Sequence, residues 1–141
     1  MTVPRVPRLA AERAARWLQG ARRALEDGRW DDAVYGAQMA SEHAAKAVLL
    51  ALGIEFPKQH DVSEVFVTLA EREEVPPELR PEVSGVSDLL AELAAHRALA
   101  AYGFEAEVDL SYFEGLAPGA VQSGERVLRF AERFLAGGGG G

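Results

Sequence analysis

Residues 30–53, WDDAVYGAQMASEHAAKAVLLALG, decide the fold. Ala33, Ala37, Ala40, Ala44, Ala47 and Ala51 recur at spacings of three and four, which on an α-helix gathers them into one narrow arc. Small side chains on such an arc let neighbouring helices approach closely. Val34, Val48, Leu49 and Leu52 widen the apolar surface beyond the arc, so the segment reads as the central helix of a bundle. Asp31 or Asp32 stands where an N-cap is expected, and Gly53 where the helix should stop.

Working outward, the same period appears on both sides. Ala10, Ala14, Trp17, Leu18, Ala21 and Leu25 share a stripe, predicting a first helix from Pro7 to Asp27 that stops at Gly28. The short Gly28-Arg29-Trp30 link turns the central helix back antiparallel. After a loop over 53–60, Asp61 followed three residues later by Glu64 predicts a capped third, shorter helix to Glu74. Pro76, Pro77 and Pro81 place the start of a fourth helix between Pro77 and Pro81; it should run to Ala101 and end at Gly103. Phe104 to Ala117 lacks periodicity. Pro118 suits the first turn of a last helix, with Val127, Phe130, Ala131, Phe134 and Leu135 inside and Arg126, Arg129 and Arg133 outside. The expected fold is all-α, an up-and-down antiparallel bundle of four main helices plus one shorter helix. A single domain over 1–136 is followed by a disordered glycine tail, 137–141.

Composition narrows the class. With 48% apolar and 26% charged residues in 141, the chain has enough apolar content for one core and too much for disorder. It has no cysteine, so thiolate metal sites and cysteine nucleophiles are excluded. The N-terminal stretch is rich in arginine and has no unbroken apolar run, which reads as cytoplasmic, with no membrane segment. The net charge of −7 hides an asymmetry: residues 1–30 carry seven Arg against Glu12, Glu26 and Asp27, or +4, leaving −11 for the rest. The first helix is a basic rod on an acidic body. Its arginines either pair with neighbouring carboxylates and water or form a phosphate-facing surface.

Glycine-rich phosphate loops, metalloprotease and hydrolase signatures and calcium loops are missing. His43, His60 and His96 lie far apart and form no i, i+3 or i, i+4 pair; Glu92 and His96 are four apart and read as a surface pair. No cofactor and no metal is expected. Gln38, Glu42 and Lys46 form a polar row opposite the alanine arc, either a solvated face or part of a site. The most unusual residue is Arg97, which continues the apolar stripe Val86, Leu90, Leu93. A guanidinium on such a stripe needs a carboxylate, a subunit interface or a ligand phosphate.

These residues resemble the HEPN domain family of prokaryotes over about residues 8–135. The likeness is carried by Gly28-Arg29-Trp30, Ala37-Gln38, Glu42, Lys46, Leu49 and Gly53, by Pro57 and His60-Asp61, and by Arg97-Ala98-Leu99-Ala100-Ala101-Tyr102-Gly103. The last of these is similar to the Arg-x4-Tyr-Gly of one branch. The resemblance implies a homodimer, often paired with a minimal nucleotidyltransferase in a toxin–antitoxin module. Many members are metal-independent RNases that use an Arg-x4–6-His motif. Arg97 would then contact phosphate, and Tyr102 stands where those members carry histidine. A tyrosine, with an ordinary pKa of about 10, is a poor general base where histidine exchanges protons near neutrality. Phe104 stands where some relatives carry a tyrosine that receives AMP.

Three functions follow from that likeness. The first is a non-cleaving module that binds nucleotide, RNA or a nucleotidyltransferase through Arg97, Tyr102 and the Gln38, Glu42, Lys46 row. The second is an active RNase toxin using Arg97 and Tyr102. The third is a structural helical adaptor.

Overall fold

The computed structural model describes residues 3–139. Its main elements are α1 (Arg5–Glu26), α2 (Trp30–Ala51), the short α3 (Ser63–Phe66), α4 (Arg80–Tyr102) and α5 (Ser111–Phe134). Among the described residues there is no strand, and the four long helices form the expected antiparallel bundle. No described helix is long and apolar enough to cross a membrane.

The alanine arc does what its side-chain size dictates. Ala33, Ala37, Ala40, Ala44 and Ala47 are fully buried, and α1, α4 and α5 all pack on α2. Glycines bring two of these helices closer still: a Cβ at Gly36 would lie 3.2 Å from Ala21 Cβ of α1, and one at Gly124 of α5 would lie 3.3 Å from the Ala37 carbonyl. Larger side chains close the core, with the rings of Phe66 and Phe130 edge-to-face at 5.6 Å. The inward face of α5 is as expected, with Val127, Phe130, Ala131, Phe134 and Leu135 buried and Arg126, Arg129 and Arg133 exposed.

Three boundaries differ from the sequence reading, each for a local reason, while α4 ends at Gly103 as expected. Helix α2 begins at Trp30 with no side-chain cap; Asp31 and Asp32 sit in its first turn, where the helix dipole favours negative charge, and Asp32 pairs with Arg29 at 2.7 Å. The Asp61 carboxylate accepts from the Ser63 backbone N–H at 2.9 Å, but only one α turn follows before the chain tightens into a 3₁₀ helix, Val67–Glu71, so the third helix stops short of Glu74. Gly103 ends α4 without a left-handed turn. It leads into a 3₁₀ turn, Gly103–Ala106, and the left-handed residue is Glu107, φ 59°. Val108 packs closely onto Gly103, 3.2 Å from where a Cβ would stand, so a side chain at 103 would have to push Val108 back by a few tenths of an ångström.

The largest difference is at α5, which starts at Ser111 rather than Pro118. The Asp109 carboxylate accepts from the Ser111 N–H at 2.9 Å and starts the helix two turns early. Pro118 therefore lies inside α5, and Glu114, whose carbonyl loses its i+4 donor, is exposed like Pro118 itself, so water can satisfy that carbonyl. At the other end Leu135–Gly139 continues α5 as a wider, π-helical turn; residues 140 and 141 of the expected tail lie outside the described residues.

Candidate functional site

The outer face of α2, opposite the alanines, carries Tyr35, Met39, Glu42 and Lys46 at i, i+4, i+7 and i+11, a single line along the helix. Because α4 runs antiparallel to α2, its C-terminal half reaches the start of that line. There the Arg97 Nη2 donates to the Tyr35 hydroxyl at 3.1 Å, and the guanidinium carbon lies 5.0 Å from the Tyr35 ring centroid. Val86, Leu90 and Leu93 of the stripe are buried, whereas Arg97 is half-buried where α4 leaves the core. No carboxylate among the described residues pairs with Arg97, and its buried Nε has no hydrogen-bond partner. A phenol is neutral, so the cation keeps its full charge and several free donors.

Aromatic packing fixes Tyr35 from the other side. Trp17 of α1 meets Tyr35 edge-on at 6.2 Å and lies against the His43 ring at 6.4 Å. The His43 Nδ1 donates to the Met39 carbonyl at 2.7 Å, which fixes the tautomer when the ring is neutral. Trp17, Tyr35, His43 and Arg97 thus form a continuous chain of contacts across α1, α2 and α4. Sequence reading singled out only Arg97 of these; the available signal was that Tyr35 lies on the same helical line as Glu42 and Lys46.

Farther along α2 the polar row is closed over by the 53–62 loop. Gln38 and Glu42 are buried, 2% and 6% exposed, so this is not a solvated face. The Glu42 carboxylate accepts from Lys46 Nζ at 2.8 Å, Gln38 Nε2 at 3.1 Å and His60 Nδ1 at 2.9 Å. Gln38 also donates to the His60 carbonyl at 3.3 Å, and Lys46 lies 5.5 Å from the Phe56 ring centroid. Burial strongly resists ionisation of Glu42, yet the hydrogen bonds from Lys46, Gln38 and His60 together hold its pKa below the usual carboxylate value. The row pins a loop to the central helix. His60 was missed as a member because loop positions carry no period; the clue was that a buried glutamate needs more donors than one lysine.

Tyr102 is placed differently. It is 61% exposed, and five residues beyond Arg97 it stands about 140° around the helix and about 7.5 Å along it, so the two do not meet within one chain. Phe104, Leu110 and Tyr112 are also largely exposed around the same α4–α5 turn. His96 and Glu92 line a depression of about 220 Å³ between α4 and α5 and make no bond to each other. No group of three or more His, Asp or Glu among the described residues is placed to hold a metal ion.

Bundle and site together define a class: a small all-α protein that presents a carboxylate-free arginine at the open end of its central helix. The family model of the HEPN domain matches residues 8–136, nearly the whole chain, and the protein belongs to the HEPN domain family. Comparison with curated proteins found no match.

Proposed function

We propose that this HEPN protein is a homodimeric, non-cleaving module of a toxin–antitoxin-type pair, one that binds RNA or a nucleotide through Arg97 and works with a minimal nucleotidyltransferase. The observation that carries this is the environment of Arg97. Its guanidinium is positioned by the neutral Tyr35 hydroxyl, has no carboxylate partner among the described residues, and keeps free donors suited to a phosphate.

Dimerisation supports the same reading. The family to which the chain belongs implies a dimer. Tyr102, Phe104, Leu110 and Tyr112, between the end of α4 and the start of α5, are exposed, and exposed apolar side chains of this kind are what a second copy covers. With tyrosine in the histidine position, the Arg-x4 motif itself would supply a phosphate contact and no imidazole. In this reading Gln38, Glu42 and Lys46 support the site by holding the loop beside it.

Titration of the dimer with a short RNA and with ATP tests the proposal. Arg97→Ala should weaken binding at least tenfold. Arg22→Ala, which removes an exposed arginine paired with Glu125 at 3.0 Å, should change it less than twofold. Equal effects would overturn the assignment. One observation favours a second reading, the structural adaptor: the Arg97–Tyr35 bond also ties α4 to α2. In that case Arg97→Ala lowers stability and leaves no binding to lose.

A further inference from the structure

The outer face of α1 has features that the packing of the bundle does not require. Arg13, Arg16, Gly20 and Arg23 fall at i, i+3, i+7 and i+10, on one side of the helix. Arg13, Arg16, Trp17 and Gly20 line a depression of about 360 Å³. Trp17 and Gly20 also line its neighbour, about 310 Å³, together with Arg23, Arg29, Asp32 and Tyr35, so the two form one trough. Asp32 is the acidic residue in it and is already paired with Arg29 at 2.7 Å. Arg13, Arg16 and Arg23 make no ion pair among the described residues, although the rest of the chain beyond residue 30 carries a formal −11.

Gly20 is the independent observation. A glycine within a helix is unfavourable relative to alanine, and a Cβ at Gly20 would meet nothing within 4 Å. No close approach inside the chain accounts for it, unlike Gly36 one helix away. Gly20 lines the same depression as the half-buried Trp17, whose ring stands more than 4 Å from where that Cβ would be, so the floor of the depression beside the ring is open.

We propose that this trough is a track for a single-stranded oligonucleotide, with backbone phosphates on Arg13, Arg16 and Arg23 and a base stacked on Trp17 above Gly20. The row of arginines is about 15 Å long, which outreaches the contiguous phosphates of a nucleoside triphosphate and suits about two or three successive nucleotides. An acidic peptide would use the same cations but has no need of the aromatic ring that lines both depressions. Through Tyr35, which lines the trough and touches Arg97, the track leads to that guanidinium and so rests on the reading of Arg97 as a phosphate contact.

The test uses the full chain and a fluorescent twelve-residue oligouridylate, measured by anisotropy across a salt series. Arg13→Ala with Arg16→Ala, both exposed and unpaired, should cut affinity at least tenfold and flatten the slope of log K against log salt by about 1.4, the single-strand value for two lost contacts. Gly20→Ala should raise the melting temperature and yet weaken binding at least threefold, opposite signs that a purely structural glycine cannot give. Binding of the matching oligodeoxyribonucleotide also supports the track, and the ratio of the two affinities tells whether the 2′-hydroxyl is read.

Wild-type affinity in the double variant, no loss on Gly20→Ala, or displacement by oligoglutamate as effective as by unlabelled RNA would each overturn the track, the last in favour of an acidic protein partner. If only Arg97→Ala weakens binding, the track fails and the Arg97 reading stands. If only the α1 variants do, the track stands and the Arg97 reading fails. No binding by the wild type overturns both.

Discussion

Arg97 of α4 and Tyr35 of α2, sixty-two positions apart in the chain, hold each other through a 3.1 Å hydrogen bond and a ring contact at 5.0 Å, with no carboxylate in the arrangement. Replacing Tyr35 by Phe keeps the ring and removes the acceptor. Because the pair is only partly buried, unfolding free energy in urea should fall by about 1 kcal/mol, less than the roughly 1.5–3 kcal/mol of a buried hydrogen bond to a charged group. RNA affinity should fall less than with Arg97→Ala, since the guanidinium remains. A variant indistinguishable from wild type in both measurements shows that the phenol does not position the cation.

Glu42→Gln removes the charge at the centre of the loop clamp and leaves Lys46, whose side chain is 22% exposed, without its anion. Truncating one member of a buried charged hydrogen-bond network costs about 2 kcal/mol when the other member can still reach water. Protease cutting should increase first in the 53–62 loop, because His60 is bound to α2 through Glu42. Uniform cutting along the chain would mean that the network does not hold the loop.

The same carboxylate makes stability depend on pH with a definite sign. Burial works against ionisation of Glu42, but Lys46, Gln38 and His60 outweigh it and set the folded pKa below the unfolded one. The unfolded chain therefore binds the proton more readily. The contribution of Glu42 is complete above the ordinary value of about 4.5 and is lost as pH falls through the lower folded value. The stability gap between wild type and Glu42→Gln should narrow as pH falls below about 4.5. A gap that widens with acid would reverse the assigned sign.

Pro118 lies inside α5 on its exposed side. Pro118→Ala restores the donor to the Glu114 carbonyl and removes the ring that crowds it, so the variant should be more stable by about 1–3 kcal/mol and melt several degrees higher. A lower melting temperature would mean that the proline's fixed backbone geometry helps α5 to pack on α2.

Tyr102→His places a proton-exchanging group where RNase members of the family carry one. With metal chelated, the wild type should leave RNA intact. Tyr102→His should gain cleavage that Arg97→Ala removes. Cleavage by the wild type would replace the non-cleaving reading with the RNase one.

The bundle could be read because its signals are periodic. The alanine arc, the glycine stops at 28 and 53 and the prolines before α4 each act within a turn or two of their own position, where helix geometry converts spacing directly into a face. The same locality explains the errors. Pro118 was taken as a helix start because a first turn tolerates proline, whereas Asp109 had already started the helix upstream. Gly103 does end α4, but through a 3₁₀ turn packed against Val108 and not through a positive φ.

Arg97 stood out because a cation on an apolar stripe is costly wherever that stripe leads, and this much the sequence established along with the helical class, the central place of α2 and the charge of α1. What it could not supply were partners from other elements: Tyr35 and Trp17 for Arg97, and His60 for Glu42. Helical period is a property of one segment. Which segments meet, at what height and with which side chains between them, is settled only when the helices pack. That packing turned the Gln38, Glu42, Lys46 row into a buried clamp and left Arg97 with a phenol in place of a carboxylate.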